Sequence, residues 1–218
     1  MSSAAIRKAE KISLKIIVEG GSKENNTFTT EFRKAFQAFF SKGSTRIENR
    51  ELRLKVIPGC ADPVKSFFIE LKRSGDSDRV FLLLDSEKEF SADGLYGFAE
   101  RVRELKEQNN WKKAPDIPDD SIHFMVALME SWFIADKDAL KAYYGNRFRD
   151  NQIPDAINVE VYEKQRVFNI LKAATRDTQK GPYSKTNHSY RILNIINPSL
   201  VSKAAPQCKR LLEVIEGI

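Results

Sequence analysis

Four short apolar runs separated by helical stripes set the pattern of the first two thirds of the chain. Ile12 to Val18 ends in Ile16-Ile17-Val18 and stops at Glu19-Gly20-Gly21, the mark of a buried strand followed by a turn. Phe28, Phe32, Phe36 and Phe39-Phe40 then recur at helical spacing. Leu52, Leu54 and Val56 alternate with Arg53 and Lys55, which predicts a second strand ending at Pro58-Gly59. Asp62-Pro63 supplies an N-cap and a first-turn proline for a helix that buries Val64, Phe67-Phe68 and Leu71. Val80 to Leu84 has no polar alternation, so it reads as a central strand covered on both faces.

The pattern continues with a helix that turns Leu95, Phe98, Val102 and Leu105 inward. A proline-containing loop from Ala114 to Asp120 follows, then a fourth strand from Ile122 to Leu128 and a helix from Met129 to Tyr144 stopped by Gly145. Four strand–helix alternations predict an α/β fold, a mostly parallel Rossmann-like sheet with helices on both faces. From about Asn151 the alternation stops. Val167, Ile170-Leu171 and Ala174 predict one helix, and Tyr190, Leu193 and Ile196 a second, ended by Asn197-Pro198. Cys208, Leu211-Leu212 and Ile215 predict a third. With no linker between the parts, residues 1–218 read as one domain, an α/β core over 1–150 with a helical cap over 151–218.

Composition narrows the class only a little. The chain has 218 residues, 41% of them hydrophobic and 30% charged, a globular balance. The net charge of +6 is a mild basic excess, compatible with nucleic acid as partner and not diagnostic of it. Two cysteines, Cys60 and Cys208, have neither zinc-site spacing nor a disulfide pattern. Met1 to Lys15 carries Arg7, Lys8, Glu10 and Lys11 in place of an apolar signal core, and no apolar stretch approaches a membrane span. A soluble, cytoplasmic protein without a membrane partner is the expectation.

The candidate chemistry lies at the strand ends. In a parallel sheet all carboxyl ends share one edge, where ligands bind. Glu19 closes the first strand, Asp85 the third, and Glu130 follows the fourth; Glu87 points the same way if the chain stays extended beyond Asp85. Gathered carboxylates repel one another unless a cation neutralises them, and an all-oxygen donor set suits Mg²⁺ or Mn²⁺. Each acid alone has a plainer reading as a loop acid or, for Glu130, as a first-turn residue favoured by the helix dipole. Gly20 and Gly21 offer backbone amides to a phosphate, or make a simple turn. Lys180, Lys185, His188 and Arg191 cluster with Tyr183 and Tyr190, where cations could hold phosphates and rings stack on bases; an ordinary solvated helix start has the same look. His123, inside the fourth strand, reads as a hydrogen-bonded core residue.

The acids at the strand ends, with their neighbours, also resemble a known pattern. Val18-Glu19-Gly20-Gly21 after one strand and Leu84-Asp85-Ser86-Glu87 after another look like the Toprim arrangement. The chain more closely resembles the Toprim-like bacterial family called domain of unknown function 4276. That likeness runs through Met125 to Asp136, Tyr143-Tyr144-Gly145, Tyr183-Ser184-Lys185 and the tail from Asn187 to Ile218. The resemblance implies a nuclease of Toprim type that cleaves phosphodiesters with Mg²⁺ or Mn²⁺. In it Glu19 matches the acid/base or metal-ligand glutamate, and Asp85 with Glu87 the metal-holding pair, here Asp-Ser-Glu in place of Asp-x-Asp. Glu130 and Lys185 fall in the narrower family's own motifs; with Lys185 as a phosphate contact, both are site candidates. The resemblance further implies an ABC-type ATPase as partner in an anti-phage module. The competing reading is a non-catalytic binding or regulatory subunit of such an ATPase complex. A phospho-acceptor receiver domain fits less well, because no second acid follows Glu19 and no fifth strand with a lysine is visible.

Overall fold

The apolar runs become strands because each places branched side chains on both sides of a sheet that helices cover twice. The computed structural model describes residues 12–22, 25–93, 95–111, 117–155 and 157–218. Strands β1 (Ser13–Val18), β2 (Arg53–Pro58), β3 (Asp78–Asp85) and β4 (Ile122–Met125) form one parallel sheet in the order β2-β1-β3-β4. Ile16 lies opposite Val56 and Phe81, and Asp85 opposite Met125. The expected α/β architecture is the observed one.

Period-two alternation sorts the strand residues into two cores. Leu14, Ile16, Val18, Phe81, Leu83 and Met125 join one; Ile17, Val80, Leu82, Leu84, Ile122 and Phe124 join the other. Helix α1 (Asn26–Gly43) covers the first face with Phe32, Phe36, Phe39 and Phe40, and the short α2 (Thr45–Glu48) follows it. Helices α3 (Pro63–Arg73) and α4 (Phe98–Gln108) cover the second with Phe67, Val102 and Leu105. The chain runs outward to β2 on one face and returns through β3 to β4 on the other, as right-handed crossovers require. The reversal opens a crevice between the carboxyl ends of β1 and β3. Asp62 caps α3 through the Lys65 N–H with Pro63 in its first turn, as its sequence predicts.

The remaining helices are α5 (Ser131–Ile134), α6 (Lys137–Tyr144), α7 (Lys164–Thr175), α8 (Lys185–Leu193), α9 (Pro198–Ala204) and α10 (Pro206–Gly217). Those of the last third put Val167, Leu171, Leu193, Val201, Leu211 and Ile215 into the same cluster as Phe36 and Trp132. No helix among the described residues is long and apolar enough to cross a membrane.

Four local expectations are corrected. The fourth strand stops at Met125, not Leu128: Asp85 is its last partner, and Ala127, at a φ of 57°, turns the chain while Val126 and Leu128 stay buried. The helix expected from Met129 to Tyr144 divides, because buried Asp136 caps α6 through the Ala139 N–H and accepts the Asn197 N–H with its other oxygen. Leu95 is 78% exposed, since α4 starts only after Gly97. Asn197-Pro198 does not end the helix expected through Ile196, since α8 stops at Leu193 with Asn194 as its C-cap; it begins α9, with Asn197 accepting the Ser199 N–H. His123 is buried with Nδ1 3.2 Å from Arg210, a core residue as expected. Arg7, Lys8, Glu10 and Lys11, and the stretch 112–116 of the proline-containing loop, lie outside the described residues.

Candidate functional site

Glu19 leaves β1 with its N–H still bonded to the Leu83 carbonyl (2.8 Å), so its side chain projects over the neighbouring end of β3. There its Oε2 accepts the Asp85 N–H at 3.0 Å. Asp85, the last residue of β3, accepts the Met129 N–H on Oδ1 at 3.0 Å. That bond fixes the turn that presents Glu130, whose side chain has no exposure at all. Glu130 Oε1 accepts from the buried Tyr183 hydroxyl at 2.8 Å. Its Oε2 has no hydrogen-bond partner and lies 3.9 Å from Lys185 Nζ. Lys185 is the first residue of α8, and Lys164, first of α7, is ion-paired with Glu87. Two helices of the C-terminal third therefore bring cations to the strand-end acids.

The acidic turn after β3 has its own support. Ser86 is buried; its Oγ donates to the Lys88 carbonyl and accepts the Ala127 N–H, while Arg101 Nε donates to the Ser86 carbonyl at 2.9 Å. Arg101 itself is buried and lies over the Phe124 ring. The chain is not extended here: Glu87 adopts a φ of 69°, which carries its carboxylate outward to Lys164. Glu19, Asp85, Glu130, Lys164 and Lys185 thus share one edge, with Glu87 on its exposed flank.

Electrostatics make the edge uncomfortable for anions. Burial pushes Asp85 up to about 8; Lys185 and Lys164 oppose the rise, and Glu19 and Glu130 add to it. Glu19 is raised too, chiefly by burial, against the hydrogen bond from Asp85 and the pull of both lysines. An acid whose pKa is higher folded than unfolded costs the fold more as pH rises between the two values. Asp85→Asn, which keeps the acceptor for Met129, is therefore expected to melt above wild type without metal. The advantage should grow from near pH 3.8 to about 8 and level off beyond. Thermal melts in EDTA across that range check it, and a pH-independent difference contradicts it.

Other expected contacts are placed differently. His188 is buried, with Nδ1 accepting the Ser184 N–H at 3.1 Å and lying 2.9 Å from the Tyr144 hydroxyl, so it braces the start of α8 and is no phosphate contact. Tyr183 is 3% exposed and cannot stack on a base. Gly20 and Gly21 have φ of 118° and 84° and pack closely: a Cβ on Gly21 would meet Pro58 at 2.6 Å. The Tyr190 hydroxyl stands 3.7 Å from where a Cβ on Gly20 would lie, so the protein's own groups crowd this turn.

Lys164, Arg101 and the structural role of Tyr183 escape a reading by sequence. Only Arg101 left a signal, a charge on the apolar stripe of Phe98, Val102 and Leu105. Among the described residues, no group of three His, Cys, Asp or Glu side chains is gathered to hold an ion by itself. Glu19 and Asp85 together fit a looser demand. Mg²⁺ commonly takes one or two carboxylates, keeps several waters and shares substrate phosphates. Each of these two carboxylates accepts a backbone N–H on one oxygen, Glu19 that of Asp85 and Asp85 that of Met129, which leaves a second oxygen on each that such a shared site could use.

The family described as "Domain of unknown function (DUF4276)" matches residues 18–216, from the end of β1 through α10. No curated protein and no solved structure matches the chain.

Proposed function

The chain belongs to the DUF4276 family, and from that premise we propose that it is a Toprim-like, divalent-metal-dependent phosphodiesterase acting on nucleic acid. The observation that carries the reading is the Glu19–Asp85 pair at the β1/β3 crevice, with Lys164 and Lys185 beside it. Glu19 and Asp85 would hold Mg²⁺ or Mn²⁺, which when bound supplies charge stabilisation at the phosphate and an activated water. Lys185 and Lys164 take phosphate oxygens as point charges, leaving the carboxylates they pair with otherwise. Buried Glu130, clamped by Tyr183, holds Lys185 at the edge. Arg101 keeps the Asp85-Ser86-Glu87 turn in place through the Ser86 carbonyl. Burial raises the pKa of Glu19, which makes it a stronger proton acceptor than an ordinary exposed carboxylate.

Calorimetric titration of Mn²⁺ into the full chain tests the premise of this chemistry. Saturable binding is expected, weakened at least about 10-fold by Glu19→Gln, as second-coordination and ligand losses commonly do. Absence of specific binding to the wild type would favour a non-catalytic subunit instead.

A further inference from the structure

Tyr190 connects the acid edge with a second feature. Its hydroxyl lies against the turn after Glu19, 3.7 Å from where a Cβ on Gly20 would stand. Its ring lines a groove of about 380 Å³ between α1 and α8, within the usual range of small-molecule sites, about 300–1,000 Å³. Tyr143, Ala35 and Ile195 complete the apolar wall, and Ile195 is 40% exposed. Around this wall stand three cations: Lys34, Arg191, and Lys180, whose Nζ lies 5.2 Å from the centre of the Tyr143 ring. Among the described residues that line the groove, the one carboxylate is Glu31, 3.9 Å from Arg191.

We propose that this groove holds one base of a single-stranded nucleic acid whose adjoining phosphate lies at Lys185 and the Glu19–Asp85 pair. The inference rests on the phosphodiesterase reading for the phosphate and on the groove's own chemistry for the base. Flat apolar walls with aromatic rings suit a nucleobase, which stacks on such rings regardless of sequence. The cationic rim suits the flanking phosphates, and a purely apolar peptide side chain would have no use for it. Glu31 and Asn194 offer an acceptor and an amide to the polar edge of the base. A base inside a duplex is stacked and paired and cannot enter a groove on a protein surface without being extruded. Tyr190 belongs to both places, its ring lining the groove and its hydroxyl beside Gly20, which follows Glu19 in the chain.

The test uses the full-length protein in EDTA, where cleavage is stopped. Fluorescence anisotropy compares a short labelled oligodeoxycytidylate, an abasic oligomer of equal length and charge, and a blunt duplex. The oligodeoxycytidylate is expected to bind about 10-fold more tightly than the abasic chain, and Tyr143→Ala to remove that margin. Arg191→Glu should weaken both single strands, because it repels phosphates whatever the base. If Tyr143→Ala fails to fold, the uncharged Ile195→Ser, at an exposed position, carries the same expectation. Equal affinity for the oligodeoxycytidylate and the abasic chain overturns the groove, as does tighter binding of the duplex. Plasmid nicking in Mn²⁺ keeps the two readings apart. Nicking with base-independent binding rejects the groove alone; base-dependent binding without nicking rejects the nuclease reading alone.

Discussion

Asp85→Ala is expected to remove Mn²⁺-dependent nicking of supercoiled plasmid by at least about 100-fold, the scale at which loss of one preorganised electrostatic group is felt. Asp85 ends the central strand, neighbours Glu19 through its own N–H, and feels both Lys185 and Lys164. The fold should survive the change. Alanine leaves the Met129 N–H without its acceptor, which costs about 1–3 kcal/mol if that group stays dry. Against this, the variant loses a carboxyl that burial and two neighbouring acids disfavour in its charged form. The melting temperature at neutral pH should therefore move little, and circular dichroism should be unchanged. Nicking that persists at the wild-type rate in a folded Asp85→Ala protein would place the activity elsewhere.

Trp132→Ala carries the largest expected effect on stability. Trp132 is fully buried and stacks on Phe39 with ring centres 4.9 Å apart and planes 14° from parallel. It lies in the cluster that contains α1, the strands and the C-terminal helices together. Emptying such a site costs about 3–5 kcal/mol, because the surrounding helices cannot all collapse into the space. In a chain of this size each kcal/mol lowers the melting temperature by about 2–4 °C, so a fall of roughly 10 °C is expected. Trp132 also follows Glu130 and Ser131 directly, so the loosened α5 should release Lys185 from the edge as well. Trp132→Phe refills most of the volume and should recover most of both losses. A melting temperature within about 2 °C of wild type in Trp132→Ala would mean less than the expected cavity forms.

The strands and their faces were readable from local pattern because a side chain's direction along a strand depends only on its neighbours. Val80 to Leu84, apolar at every position, was necessarily a strand covered twice, and its residues do divide between the two cores. Asp62-Pro63 marked a helix start for the same local reason. The acids Glu19 and Asp85 were visible because they stand where apolar runs stop. The same locality misled at Val126 to Leu128, whose apolarity means burial in a turn and not continued pairing. It misled again at Glu87, where a left-handed residue breaks the alternation that would have aimed the carboxylate inward.

By itself, then, the sequence determined the alternation of strands and helices, the apolar face of each, and the acids at the strand ends. Only the tertiary structure decided that β1 lies beside β3, which puts Glu19 against Asp85 although 66 positions separate them. It alone brought Lys164, Tyr183 and Lys185 from the helical third to the same edge, buried Glu130 beneath Tyr183, and turned His188 inward. Periodicity records which side of an element avoids water, a property of nearest neighbours. Which two distant charged groups meet depends on how whole apolar faces pack, and single lysines or tyrosines carry no periodic trace of that.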